Sequence, residues 1–310
     1  MNEKVDILMA VFNGELFLKQ QLDSIVNQTY KNWLLRIRDD GSTDNSIGII
    51  NDYIEKYPEK IILLEDNKNI GSCNNFFALL ENSNSEYIMF SDQDDVWHTD
   101  KIEKTLNQFI ELEKEYGKEI PLLLHTDLEV VDETLNHISN SFWKYQQMDV
   151  ERVSRLNKIL LENIVTGCTV MINRALKEKS LPLPNNVFVH DWWLALVASV
   201  FGKIEKMDES TILYRQHNQN VAGAKKSNFL HFYKRLLNLD LVKKGLENAV
   251  FQASVFYKTY RNDLSNEQVK MLTAFCNIYQ YNWLKRRFIL LRFGLLKSKF
   301  YRNIGLFIVV

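Results

Sequence analysis

The densest chemistry in the chain lies at Asp92-Gln93-Asp94-Asp95, directly after the apolar run Tyr87-Ile88-Met89-Phe90 and Ser91. Three carboxylates within four positions repel one another unless a cation sits among them. Hard oxygen ligands of this kind suit Mg²⁺ or Mn²⁺, which keep waters and bridge to substrate phosphates. A solvated acidic turn capping a helix near Thr99 is the competing account. For an isolated Asp-x-Asp it is the better account, because such spacing arises by chance. The strand ahead of the cluster and polar clusters elsewhere in the chain reverse that balance.

Asp39-Asp40-Gly41-Ser42 is the second such cluster. An Asp at the end of a strand can accept from a ligand N–H, whereas Asp, Gly and Ser together also make a turn and a helix cap. One Asp is expected to serve the ligand and the other the turn. His190-Asp191 supplies a carboxylate at a helix start, as a general base or as an N-cap. His217, in Tyr214-Arg215-Gln216-His217, fits either a satisfied histidine or a neutral metal ligand. Neither a Gly-x-Gly-x-x-Gly loop nor a Gly-x-x-x-x-Gly-Lys loop is present, which argues against a dinucleotide oxidoreductase and a P-loop enzyme.

The elements that must position these groups alternate. Val5–Val11, Trp33–Arg38, Ile61–Leu64 and Tyr87–Phe90 read as buried strands. Between them, Leu18, Leu22, Ile25 and Val26 mark one helix face. Ile47, Ile50 and Ile54 mark a second, with Ser42 as its expected cap, and Asn69-Ile70-Gly71 opens a third. This order predicts βαβ units and a mostly parallel α/β sheet covered on both faces. Ligands bind such sheets beyond the carboxyl ends of the strands. Phe12-Asn13, Asp39-Asp40 and Asp92–Asp95 all fall there. Leu122–Leu124 and Asn163–Met171 are further expected strands, and a helix is expected from Trp192 to about Phe201. Beyond Lys225 only helices are expected, one with capping-box spacing at Ser265–Gln268.

Composition sets the outer limits. The chain has 310 residues, 46% apolar and 25% charged, with 11 Gly and 4 Pro, which excludes disordered and collagenous classes. Three widely spaced cysteines argue against a disulfide framework and favour a reduced, cytoplasmic setting. No secretory signal is visible at the N-terminus. The longest stretch free of charged residues is 14 long, from Met271 to Leu284, against roughly 20 needed to span a bilayer. The net charge of −1 hides a division. Residues 1–224 hold 22 basic and 35 acidic side chains, a balance of −13, and residues 225–310 hold 16 and 4, a balance of +12. The expected organisation is therefore a catalytic domain over 1–224 and a basic helical region over 225–310.

At this point the residues carry a resemblance. Ile7–Gly14, Gln28-Thr29-Tyr30 before Trp33, Arg38–Asp44, Asn69-Ile70-Gly71 and Ser91–Trp97 follow in the order and spacing of the family-2 glycosyltransferases with the GT-A fold. Ser91-Asp92-Gln93-Asp94-Asp95-Val96-Trp97 is the most specific piece. With Thr166-Gly167, His190-Asp191-Trp192 and Tyr214–His217, the pattern is similar to the bacterial rhamnosyltransferases of cell-wall and capsular polysaccharide synthesis.

The resemblance implies roles. Asp39 would bind the pyrimidine ring, and Ala10, Phe12 and Asn13 would line the base and ribose pocket. Asp92 and Gln93 would hold the rest of the nucleotide sugar. Asp94 and His217 would ligate Mn²⁺ or Mg²⁺, and Asp191 would be the catalytic base. Asp95, Trp97 and Trp192 are additional candidates, the last as an acceptor platform or as helix core. Ala10 and Phe12 replace the Pro or Thr and the Tyr of many relatives, so a phenolic contact to the nucleotide is missing while stacking remains.

The expected reaction is a metal-dependent, inverting transfer of L-rhamnose from dTDP-rhamnose to a lipid-linked saccharide. A UDP-hexose donor is the alternative within the fold. A nucleotidyltransferase and a non-catalytic recruiting subunit are the alternatives outside it. Trp283–Val310 mixes seven basic residues with apolar ones, as a basic amphipathic helix on an anionic membrane surface would. Packing on the acidic body or a homodimer interface would use the same face. Nucleic acid is excluded as a partner, because the remainder of the chain is acidic. The expected location is the inner face of the cell membrane, as a peripheral protein.

Overall fold

Six of the seven residues of the first strand, β1 (Val5–Val11), are buried, without the alternation of a half-exposed strand. Both faces of the sheet are covered by helices, so both sides of the strand must be apolar. The computed structural model describes residues 3–64, 68–152, 154–184, 186–218 and 239–310.

The other strands are β2 (Trp33–Asp39), β3 (Ile61–Leu63), β4 (Tyr87–Ser91), β5 (Val96–Trp97), β6 (Leu122–Val131), β7 (His137–Ser139), β8 (Val170–Asn173) and β9 (Lys203–Arg215). The helices are α1 (Leu18–Val26), α2 (Ser46–Lys56), α3 (Ser72–Asn82), α4 (Lys101–Tyr116), α5 (Phe142–Tyr145), α6 (Leu156–Ile159), α7 (Arg174–Ser180) and α8 (His190–Phe201). Four more follow: α9 (Leu239–Tyr260), α10 (Asn266–Cys276), α11 (Trp283–Arg292) and α12 (Phe300–Val309).

The sheet order is β3-β2-β1-β4-β8-β6-β9-β5, with β7 beside β6. Strands β3, β2, β1 and β4 are parallel, as are β6 and β9. Strand β8 joins these two blocks by pairing antiparallel to both β4 and β6. Leu8, Ile88 and Phe90 face one core with Phe77 and Trp193, while Ile7, Met9 and Val11 face the other with Leu22, Ile50 and Leu106. Among the charges inside, Asp6 accepts from Arg36 Nε (2.7 Å), Ser83 Oγ (2.7 Å) and Ser85 Oγ (2.6 Å), which satisfies it.

The C-terminal helices have no core of their own. Leu246, Phe256, Leu272, Phe275, Leu290 and Leu306 pack into the same cluster as Leu8 and Trp193. Ser265 opens α10 with the expected capping box. The boundary expected at residue 224 lies outside the described residues.

Four local expectations change. Helix α2 begins at Ser46 behind Asn45, and Ser42 bonds Asp39 instead of capping it. The strand expected over Asn163–Met171 starts only at Val170, because Gly167–Thr169 forms a tight turn. Helix α8 begins at His190 with Val189 as N-cap, so Asp191 lies inside the first turn and is not the N-cap. Trp283–Val310 is two helices, broken at Gly294 with φ of 61°. Arg287 ties them together by donating to the Val310 and Phe307 carbonyls.

Candidate active site

The loop after β1 is held by side chains from two other strand ends. Gln93 pairs with the Phe12 backbone as a neighbouring strand would: Oε1 accepts from the Phe12 N–H (2.8 Å) and Nε2 donates to its carbonyl (3.0 Å). Asn13 donates its N–H to Ser42 Oγ and accepts from the Thr43 N–H, both at 2.8 Å. It does so at φ of 48°, a conformation that Asn tolerates through such local bonding. Ala10 is partly buried, and the Phe12 ring is 47% exposed.

Both aspartates at the end of β2 have internal partners. Asp39 Oδ2 accepts from the Gly41 and Ser42 N–H groups at 2.9 and 2.8 Å. Asp40 accepts from the Ile70 N–H (2.8 Å), the Gly71 N–H (2.9 Å) and buried Arg38 (3.1 Å). The Asn69-Ile70-Gly71 motif is thereby explained: its N–H groups bind Asp40, and Gly71, at φ of 80°, leads into α3.

The acidic loop after β4 is clamped by Arg215. This side chain is 1% exposed. Its Nε donates to the Asp94 carbonyl (2.8 Å), Nη1 to the Glu133 carbonyl (2.6 Å), and its backbone N–H to Asp95 Oδ1 (3.2 Å). The guanidinium lies 4.6 Å over the Phe17 ring. This contact of Arg215 with the acidic loop is one that sequence reasoning missed, although the residue stood in the Tyr214–His217 motif. Asp94 Oδ2 meets His217 Nε2 at 2.8 Å. Oxygen and imidazole nitrogen are donors that a divalent cation accepts.

Below them, oxygens of Asp92 and Asp95 and Cys168 Sγ lie within 4.8 Å of one another. Burial, then the charges on Asp95 and Asp92, push the Cys168 thiol well up, so it remains an S–H. A cation bound there would have to displace that proton. Donor groups on this loop that fit a cation are Asp94 with His217 and Asp92 with Asp95 and Cys168. Cys168 was also missed; the adjacent Thr166-Gly167 was the available signal.

The fold brings Asp191 to this loop from roughly a hundred residues away. Burial pushes Asp92 up to about 7, and the charges of Asp94 and then Asp191 add to it. Asp95 is pushed well up by burial, then by Asp94 and Asp92. Asp191 itself is raised to about 6 by burial, against hydrogen bonds from Trp192, Gly167 and Asn163. A carboxyl at that value is mostly ionised at neutral pH and still basic enough to take a proton.

Two candidates are not brought to the site. Trp97 is 2% exposed and belongs to the core, with the buried Lys101 ammonium 4.9 Å above its ring. Trp192 is buried in α8, where its Nε1 donates to the Ile159 carbonyl at 2.7 Å. In each case the large apolar surface has found a packed site.

The model of glycosyl transferase family 2 matches residues 6–118. A dTDP-rhamnosyl transferase, RfbG of Shigella flexneri, is 31% identical over 245 residues, 74% of this chain and 78% of the relative. The chain belongs to glycosyl transferase family 2. A putative teichuronic acid biosynthesis glycosyltransferase of Bacillus subtilis, TuaG, is 28% identical over 77% of this chain and 90% of its own length.

Solved structures agree on the GT-A fold. TarS 1-349 of S. aureus, in complex with UDP, superposes with a TM-score of 0.53 at 16% identity, over 91% of this chain and 73% of TarS. The mannosyltransferase PcManGT of Pyrobaculum calidifontis, with GDP-Man and Mn²⁺, gives 0.56 at 14% identity, over 99% of this chain and 84% of that one. As a family-2 glycosyltransferase, the chain carries its acidic loop and Asp191 on this fold. Among the described residues, no helix is long and apolar enough to cross a membrane.

Proposed function

We propose that this glycosyltransferase moves L-rhamnose from dTDP-rhamnose to a lipid-linked saccharide in bacterial polysaccharide synthesis, with inversion. The observation that carries the reaction class is Asp191, a buried carboxylate raised to about 6, held close to the Asp92–Asp95 loop. The rhamnose assignment is supported by the Shigella relative.

Asp191 removes the proton from the attacking acceptor hydroxyl. The acceptor oxygen bonds to the anomeric carbon as the bond to the nucleoside diphosphate breaks. A single displacement inverts that carbon, so a β-linked donor yields an α-rhamnoside. Asp94 and His217 would hold Mn²⁺ or Mg²⁺, which when bound supplies positive charge for the departing diphosphate. Asp39 is assigned to the pyrimidine ring. Its Oδ1 accepts from Ser42 Oγ, and an ionised carboxylate oxygen has a second lone pair for a ligand N–H. Phe12 offers an exposed ring for stacking on the nucleotide. Gln93 keeps that ring in place through the Phe12 backbone, and Asp92 is assigned to the ribose and diphosphate side.

The first test is a thermal-shift screen of nucleotide sugars with Mn²⁺. A ligand at 100 times its dissociation constant adds about 2.7 kcal/mol to stability. dTDP-rhamnose is expected to give the largest shift. A larger shift with a UDP-hexose would replace the donor assignment. Release of free diphosphate from a nucleoside triphosphate would replace the reaction class.

The acceptor's lipid anchor is matched by the C-terminal surface. Trp283, Leu284, Phe288 and Leu291 of α11 and Phe300, Ile304 and Ile308 of α12 are exposed, and Phe300 is 85% exposed. Lys285 and Arg292 are exposed beside them. Aromatic and aliphatic groups rimmed by basic ones suit an anionic membrane surface. Truncation is a poor test, because it would also remove Leu290, Leu295 and Leu306 from the core. Phe288→Ser with Phe300→Ser leaves the core intact. Burying a Phe side chain contributes about 1.5–3 kcal/mol, so the double variant is expected to bind anionic vesicles at least about tenfold more weakly. Unchanged vesicle binding by that variant, or a dimer that it converts to monomer, would argue for a subunit interface instead.

A further inference from the structure

Both oxygens of the Asp191 carboxylate are occupied by donors from one short segment. Asn163 Nδ2 donates to Oδ1 at 3.0 Å, and the Gly167 N–H donates to Oδ2 at 3.1 Å. Asn163 is itself fixed by its own loop. Its Oδ1 accepts from the Val165 N–H and its Nδ2 donates to the Val165 carbonyl, both at 3.1 Å. Its amide plane therefore cannot turn without breaking bonds at both ends.

Gly167 is held from the other side. A Cβ at Gly167 would lie 2.6 Å from His190 Nε2 and 2.9 Å from His190 Cε1. The His190 ring has no room to withdraw. It lies 4.1 Å from the Phe76 ring and 5.3 Å from the Phe90 ring, and all three are buried. Phe90 belongs to β4, the strand that feeds the acidic loop. A packed series, from Phe90 through His190 to the Gly167 backbone, thus ties the orientation of Asp191 to that strand.

We infer that the Asn163–Gly167 segment is a positioning clamp, in which Asn163 and Gly167 fix the plane of the Asp191 carboxylate for proton removal. The inference rests on the proposed role of Asp191 as the base. A carboxylate on a single bond samples many rotations, and proton transfer needs one of them within hydrogen-bond reach. Two N–H donors on opposite oxygens select one plane. With the Trp192 N–H as a third donor, one carboxylate lone pair is left for the acceptor proton. The donors also favour the ionised form, which burial alone would disfavour.

The test uses the full chain with Asn163→Ala, Gly167→Ala, His190→Ala and the Gly167→Ala/His190→Ala pair, with Asp191→Asn as reference. Turnover is read as dTDP release from dTDP-rhamnose with Mn²⁺ and an alkyl-linked saccharide acceptor. Carboxyl ¹³C NMR of aspartate-labelled protein follows the Asp191 titration without any substrate, and Asp191→Asn assigns its resonance. Asn163→Ala is expected to lower kcat about tenfold or more, to leave donor affinity within about twofold, and to move the Asp191 titration to higher pH. Gly167→Ala is expected to do more damage than Asn163→Ala, and His190→Ala to relieve part of it by making room for the methyl group. An Asn163→Ala protein with unchanged kcat and an unmoved Asp191 titration would overturn the clamp. So would one in which melting temperature and donor affinity fall together with kcat. Should Asp191→Asn keep full turnover, or the unaltered chain release no dTDP, the proposed function fails instead. The NMR result still decides whether the clamp exists.

Discussion

Asp191→Asn is expected to bind donor nearly as the unaltered chain does, yet to turn over at least about 10²-fold more slowly, the contribution of a general base. The amide has nearly the shape of the carboxylate but cannot take a proton. Its effect on stability is expected to be small, for two opposed reasons. Asn offers one acceptor oxygen where Asp191 offers two, so either Asn163 or Gly167 loses a partner. That costs about 1 kcal/mol. Against it, a carboxylate that burial raises to about 6 is no longer held in the interior. For Asp191→Ala the helix-cap account predicts the reverse, a lower melting temperature with turnover mostly preserved, because Asn caps about as well as Asp and Ala does not. Val189, not Asp191, is the N-cap of α8. The same pKa fixes the sign of the pH dependence. The base works deprotonated, so kcat/KM is expected to fall as pH drops below about 6 and to hold above it. That acid limb should disappear in Asp191→Asn. Turnover within a few-fold of the parent would move the search for the base to Asp95.

Asp94→Ala is expected to abolish the Mn²⁺-dependent part of donor binding and to reduce turnover by at least about 10²-fold. Charge stabilisation by a bound cation is worth several kcal/mol, and each 1.36 kcal/mol is about tenfold in rate. The loop itself should survive the change. Arg215 holds residue 94 through its carbonyl and Asp95 through a backbone N–H, and neither bond uses the Asp94 side chain. Stability without metal should hold or rise slightly. The Asp94 charge pushes up both Asp92 and Asp95, and its removal relieves that repulsion. The measurements are melting temperature with and without Mn²⁺ plus donor, and dTDP release. Full turnover in Asp94→Ala, or in excess chelator, would remove Asp94 from the metal role.

Much of the fold was legible because its causes are local. The apolar runs of β1, β2 and β4 differ from their observed bounds by at most one residue. Buried parallel strands are continuous in hydrophobicity, and the helices between them repeat at 3.6 residues. The Asp92–Asp95 cluster was legible for the same reason: its carboxylates are neighbours in sequence. The errors at Ser42 and Asn163–Gly167 have one cause. Polar side chains there bond nearby backbone, and such bonds compete with helix and strand without changing the hydrophobic pattern.

By itself the sequence determined the α/β order, the carboxylate cluster after β4 and the charge division of the chain. Tertiary structure alone decided what these residues meet. Gln93 finds the Phe12 backbone across 81 positions, and Arg215 finds the Asp94 carbonyl across 121. Trp97 and Trp192 went to packed sites because large aromatic rings gain most when buried, and sequence spacing does not report which face of an element is covered. The C-terminal helices share the core of the sheet, although charge had set them apart. Charge balance governs solubility and partners, whereas the core is built by whichever apolar faces fit together. The environment of Asp191 is the sharpest case. Its pKa depends on burial and on donors 24 and 28 residues away, and those exist only once the segment from Asn163 to Gly167 has folded against α8.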